Sequence, residues 1–151
     1  MVKILFFLVI TIFILLLLAG LLRTWKTQTS PNQKLFLNSH LPNPLPGGLY
    51  KGSVNFQTNW QGKKFDLANS SGINIINGKE AYPFKTYTGK GLADKNLEVL
   101  RIDYNLPSNP LWLRFILDEM VQTQPQKYLG KVHINFIPGI HFTLGFFKLE
   151  K

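Results

Sequence analysis

Few residues in this chain could carry acid–base or metal chemistry: His40, His133, His141 and eight carboxylates. His133 and His141 sit on neighbouring strand candidates separated by Pro138-Gly139, so their rings could approach one another, with Asp103 or Glu98 near enough to complete a metal site. No His-Glu-x-x-His or similar spacing supports such a site, and exposed or structural imidazoles are the simpler reading. Asp118 and Glu119 are adjacent; on a helix their side chains diverge by about 100° and do not form a paired-carboxylate acid/base site. There is no Gly-x-Ser-x-Gly, and Gly62-Lys63-Lys64 and Gly89-Lys90-Gly91 lack the spacing of a phosphate loop. With no cysteine, thiolate nucleophiles, disulfides and thioester lipidation are excluded. The sequence therefore points to no catalytic residue, no metal and no cofactor.

One cation invites a binding role. In Leu97–Tyr104, a regular strand puts Arg101 and Asp103 on one face and Leu100, Ile102 and Tyr104 on the other. Turned inward, Arg101 could clamp a carboxylate or phosphate head group; paired with Asp103 it is structural.

The elements that must position these groups are mostly strands. Leu49–Phe56, Lys63–Ala68, Gly72–Ile76, Ala81–Thr88, Leu97–Tyr104, Tyr128–Phe136 and His141–Leu149 are short alternating runs bounded by turn residues. Asn77-Gly78 is a two-residue hairpin signal, and Pro107 closes the strand before it. One segment carries a helical period instead. Asn109 can cap, Pro110 suits the first helical position, and Leu113, Ile116, Leu117 and Met120 fall on one face, with Arg114 and Asp118 spaced for an ion pair. The sequence thus predicts a mainly β domain over residues 48–151: an antiparallel barrel or strongly curved sheet with one short helix.

Ahead of it, Ile4 to Leu22 is interrupted only by Thr11, Ala19 and Gly20, and as a helix spans roughly 28 Å, the hydrocarbon thickness of a bilayer. Met1, Val2 and Lys3 fit the start of a signal peptide, but no small-residue cleavage site follows, so residues 1–26 are expected to be an uncleaved, single-pass transmembrane anchor. The short N-terminal tail favours an extracytoplasmic C-terminal domain, although Arg23 and Lys26 pull the other way. Residues 27–47, with Pro31, Pro42, Pro44 and Pro46, are expected to be an extended tether on which Leu35, Phe36 and Leu37 could dock. Beyond Lys26, 14 basic residues face 8 acidic ones without forming a block, which suits attraction to anionic lipid and does not suggest nucleic acid.

Gly48-Leu49-Tyr50-Lys51-Gly52 resembles a Gly-x-Trp-x-Gly motif, with Tyr50 in place of the tryptophan. Asn59-Trp60-Gln61-Gly62-Lys63-Lys64-Phe65-Asp66 is similar to an aromatic-x-Gly-Lys-x-Phe signature. Ile116–Met120, Tyr128–Val132 and Phe146–Leu149 follow in the matching order, with Glu119 where histidine is usual. Together they resemble a group of small lipocalin-like proteins. The resemblance implies a β-barrel with an apolar cavity, and it carries over no catalytic residue. The candidate ligand-binding residues are Tyr50, Trp60, Arg101 and Tyr104. Three functions stay open: a membrane-anchored barrel binding a lipid or fatty acyl chain, a filled barrel serving as a structural or protein-interaction module, and an enzyme on an apolar substrate.

Overall fold

The period-two alternation from Gly48 to Glu150 produces strands. In a computed structural model describing residues 2–137 and 139–151, they close into one antiparallel barrel in simple sequence order. The strands are β1 (Gly48–Ser53), β2 (Trp60–Asp66), β3 (Ser71–Ile76), β4 (Lys79–Lys90), β5 (Glu98–Asp103), β6 (Ile116–Gln124), β7 (Lys127–Ile137) and β8 (Ile140–Glu150). β8 returns to pair with β1 through Lys51–Glu150, Gly52–Leu149 and Ser53–Lys148, which leaves no open sheet edge. The β3–β4 turn is the expected hairpin, with Asn77 and Gly78 both at positive φ (51° and 72°). Met1 of the leader, and Pro138, read above as part of the turn between the histidine-bearing strands, lie outside the described residues.

The helix expected from Asn109 is replaced by a single 3-10 turn (Leu113–Phe115) followed by β6. Ile116, Asp118 and Met120 face the lumen, while Leu117, Glu119 and Val121 lie under an outer covering, so six consecutive residues from Leu117 to Gln122 are buried. A strand buried on both faces shows no alternation, and its apolar residues imitate a helical stripe. Asn109 caps nothing; its side-chain amide donates to the carbonyls of Pro83 and Tyr104 and ties the β5–β6 loop to β4. The expected Arg114–Asp118 pair does not form, since Arg114 donates to Asn105.

Two helices precede the barrel. α1 (Val2–Gln28) is long and apolar enough to cross a membrane, and none of its membrane-length window is buried. Its last turns are a different matter: Gly20 lies against the Phe142 ring, Thr24 Oγ1 accepts from Thr143 N at 2.9 Å, and Arg23 donates to the Leu144 carbonyl. The tether is not simply extended. Ser30 caps and Pro31 opens α2 (Pro31–Leu37), because a proline at the first helical position loses no hydrogen bond. Phe36 docks as expected, fully buried on the outer wall with Val99, Val121 and Leu129; Leu35 and Leu37 remain exposed.

Because the strands alternate in direction, the β1–β2, β3–β4, β5–β6 and β7–β8 connections gather at one end. The other end is closed by residues 38–47: His40 bridges to Gln122, and Leu41 and Leu45 pack on the core. That half of the lumen is filled by Tyr50, Phe65, Leu100, Met120, Tyr128 and Leu149.

Candidate functional site

The half of the lumen near the β1–β2 and β5–β6 loops is not filled. A cavity of about 280 Å³ lies there, walled by Val54, Ile76, Tyr82, Ile116, Val132 and Phe147, with Phe56, Thr58 and Trp112 at its mouth. Its floor is polar. Lys63, Asn74 and Asp118 occupy lumen-facing positions on β2, β3 and β6, and Tyr104 follows β5 with its ring turned in. Lys63 Nζ lies 3.1 Å from Asp118 Oδ2 and 3.0 Å from Asn74 Oδ1, and it also donates to the Tyr104 hydroxyl. All three ammonium protons are thereby used. Tyr104 donates to Asp118 Oδ2 at 3.1 Å. Asn74 Oδ1 also takes the Trp60 indole N–H at 3.0 Å.

These positions follow from local structure. A bulge inserts Tyr82 between the Ile73–Pro83 and Asn74–Ala81 pairs, with φ at +56°. It directs the Tyr82 ring toward the mouth and presents its carbonyl to the Asn74 amide, as bulges do near binding sites. Gly52 makes room for Trp60: a Cβ there would stand 2.4 Å from the indole. The second glycine of Gly-x-Tyr-x-Gly is thus required by a ring eight residues downstream as much as by strand curvature.

Burial pushes the Lys63 ammonium below its ordinary value, and the Asp118 charge and hydrogen bond restore only part of it. Burial and the same carboxylate push the Tyr104 hydroxyl well up, so Tyr104 stays a neutral donor. Asp118 receives both bonds on Oδ2, and its Oδ1 has no hydrogen-bond partner among the described residues. The floor therefore offers one carboxylate oxygen to a donor entering the cavity.

Of the four residues singled out from sequence, the structure brings two to the cavity, Trp60 and Tyr104. Tyr50 lies in the filled half, edge-on to Phe65 (5.9 Å) and Tyr128 (5.2 Å). Arg101 points away from the lumen, as the strand's alternation requires; it donates to the Lys90 carbonyl and lies 5.9 Å over the Tyr87 ring. Sequence reasoning missed Lys63, Asn74 and Asp118. Their signal was parity: each is a polar residue at the same strand phase as an inward apolar or glycine neighbour (Phe65, Gly72 and Met120).

A second buried polar cluster lies on the outer wall. His133 Nε2 is 3.2 Å from Glu119 Oε2, and His133 Nδ1 is 3.1 Å from Thr143 Oγ1. The order hydroxyl–imidazole–carboxylate is that of a nucleophilic triad. All three residues are 0% exposed, however, and α1 lies over Thr143 through Thr24. The cluster therefore fastens the wall beneath α1. Lys131 pairs with Asp94 beside it, and Gln33 of α2 donates to Asp94 at 2.9 Å. His141 does come near His133, with ring centroids 5.6 Å apart, but neither Asp103 nor Glu98 joins them. Among the described residues no cluster of three or more such side chains could hold a metal ion. A larger hollow of about 710 Å³ lies beneath residues 39–45, and its ionisable lining is limited to His40 and Glu98. Comparison of the chain with protein-family models, with curated proteins and with solved structures finds no match.

Proposed function

We propose that this protein is a membrane-anchored barrel that binds a small amphipathic molecule: an apolar chain or ring with one hydrogen-bond donor, such as a fatty alcohol or a protonated short acyl chain. The observation that carries this reading is the half-empty lumen, apolar in its walls and ending on Lys63, Asp118 and Tyr104. At about 280 Å³ the cavity falls just below the usual range of ligand pockets, roughly 300 to 1,000 Å³. It suits one short chain better than a whole diacyl lipid. Six buried methylenes at about 0.8 kcal/mol each plus ~1.5–3 kcal/mol for a hydrogen bond to the carboxylate support binding in the micromolar to millimolar range.

The last turns of α1 form part of the barrel's outer wall, which supports retention of the helix as an anchor. Export of the barrel belongs to the same reading, and the sequon Asn69-Ser70-Ser71 lets it be tested. The filled lower half supports a second reading, a non-enzymatic interaction module with no ligand.

The test titrates the delipidated full chain in detergent with a medium-chain fatty alcohol and with the corresponding alkane, read by native mass spectrometry. The alcohol binds at one-to-one stoichiometry and the alkane more weakly. Val132→Phe, which fills the cavity without touching the floor, abolishes both. Binding untouched by Val132→Phe, or no binding of the alcohol, defeats the proposal and leaves the interaction module.

A further inference from the structure

The cavity and the apolar helix meet at the same end of the barrel. Running from N- to C-terminus, α1 meets β8 first at Phe142, two residues after β8 begins, and then at Thr143 and Leu144. α2 continues toward the opposite end, where Gln33 reaches Asp94 in the β4–β5 loop. The chain therefore comes down the outer wall from the mouth. Residues 2–19 extend away from that end for roughly 27 Å at 1.5 Å per residue. Around the mouth stand Phe56, Leu111, Trp112 and Ile140, exposed by 67, 67, 62 and 48%, with Phe115 beside them at 37%. In the two long mouth loops, residues 54–59 and 104–115, Arg114 is the one charged residue.

We infer that this rim is a membrane-docking surface: the mouth rests on the head-group layer of the bilayer that α1 enters, and the cavity opens toward lipid. A ring of exposed aromatic and aliphatic side chains is costly in water, but it matches the interfacial belt where Trp and Phe are favoured. Arg114 at the same level is the charge that anionic head groups attract. An amphipathic ligand then passes between bilayer and cavity without crossing bulk water. The inference rests on α1 as a bilayer span; it does not depend on ligand capture.

The absence of cysteine makes the test clean, since one introduced thiol labels one position. The full chain is reconstituted in vesicles of phosphatidylcholine and phosphatidylglycerol. Nitroxides are attached through Leu111→Cys and Phe56→Cys on the rim, Ala68→Cys at the opposite end, and Leu15→Cys in α1. Collision with oxygen, which concentrates in lipid, is compared with collision with a water-soluble nickel chelate. The oxygen-to-nickel ratio is expected to be severalfold higher at 111 and 56 than at 68, and lower than at 15, as a head-group depth requires. Rim labels as open to nickel as position 68, with 15 still in lipid, overturn the docking and leave the span standing. Rim labels shielded from both reagents reveal a protein partner and overturn it equally. A water-exposed label at 15 removes the span and the docking together. Ligand capture is scored separately in detergent, where no bilayer is present.

Discussion

Asp118 and Glu119 are consecutive in sequence, yet they stand on opposite sides of the barrel wall. Asp118 points into the lumen, 3.1 Å from Lys63, and Glu119 points outward, 3.2 Å from His133. One peptide unit of β6 therefore separates the polar floor of the cavity from the polar seam beneath the helices. Both carboxylates are buried, so each depends on its partners.

On the inner side, Asp118→Ala leaves Lys63 buried without its counter-charge, which costs about 3–5 kcal/mol in a buried pair. Replacing both, Lys63→Met with Asp118→Leu, recovers most of that loss, because no charge is then buried. The ammonium of Lys63 already titrates low, chiefly through burial, so the unfolded chain binds more protons than the folded one between the folded value and the ordinary lysine range. In Asp118→Ala that window widens downward, and the deficit shrinks as pH rises through it. Urea midpoints of the three proteins across alkaline pH check this; a double variant as unstable as the single would contradict it.

On the outer side the dependence runs through acid. Burial holds His141 below its ordinary value of about 6.5, reinforced by the charges of His133 and Lys131 and opposed by Glu119 and Asp94. Burial tends to raise Glu119, but His133, the Leu92 N–H and Lys131 outweigh it and hold the carboxyl below its usual range. Both groups bind fewer protons folded than unfolded, so each loses stability as pH falls: His141 from the ordinary histidine value downward, Glu119 below the ordinary glutamate value. Stability should decline in two steps. His141→Gln should flatten the upper step and Glu119→Gln the lower, measured as denaturant midpoints against pH.

The barrel was legible because seven of its strands are short apolar runs bounded by turn residues, and because Asn77-Gly78 admits few structures other than a tight hairpin. β6 was illegible for a separate reason. On its outer face Val121 is covered by Phe36, which the sequence placed in a tether some eighty residues away, so nothing local marked Val121 as facing outward under a helix. Ser30-Pro31 did carry a start signal for α2, and the prolines that follow it obscured that. In the site, Trp60 and Tyr104 were found as aromatics. Lys63 and Asn74 were passed over because a lone polar residue on a strand is ordinarily solvated, and Asp118 because it was read on a helix as the partner of Arg114. Only the closure of the barrel makes three of them converge.

Phe36 is the side chain that holds α2 to the wall. It is fully buried, 6.1 Å ring to ring from Phe146, with the Lys131 ammonium 4.2 Å over its face. Phe36→Ala removes that packing and the cation–π contact, a loss of about 3 kcal/mol for a buried Phe at the low end of its range. The barrel keeps its strand content by circular dichroism, whereas limited proteolysis between residues 29 and 40 accelerates. Unchanged cleavage would show that α2 is held by Gln33 and the seam instead.

Export of the barrel has a built-in reporter. Asn69-Ser70-Ser71 is a glycosylation sequon on the exposed β2–β3 loop, at the end away from α1's apolar turns. Expressed in microsomes, an exported barrel gains one glycan at Asn69, seen as a mobility shift that Ser71→Ala removes. A cytosolic barrel gains none, and that result would reverse the orientation proposed above.

Gly130 tests whether the lumen is packed as tightly as its geometry requires. It faces inward on β7 between Tyr128 and Val132, and a Cβ at this position would lie 2.0 Å from the Phe147 ring. The backbone is held by pairs to Met120 on one side and Phe147 on the other, so the strand cannot retreat without breaking ladder bonds. Phe147 cannot rotate freely either, since Trp60 stands edge-on at 5.5 Å and the Lys63 ammonium lies 5.1 Å from its centroid. Gly130→Ala should therefore destabilise by at least the 1–3 kcal/mol typical of overpacking. The displaced ring should also shrink the cavity and weaken fatty-alcohol binding. Phe147→Leu in the same chain gives the methyl group its space and should restore part of the stability. A Gly130→Ala protein with the wild-type denaturant midpoint would mean that the ring has room to move, and that the cavity wall at Phe147 is soft.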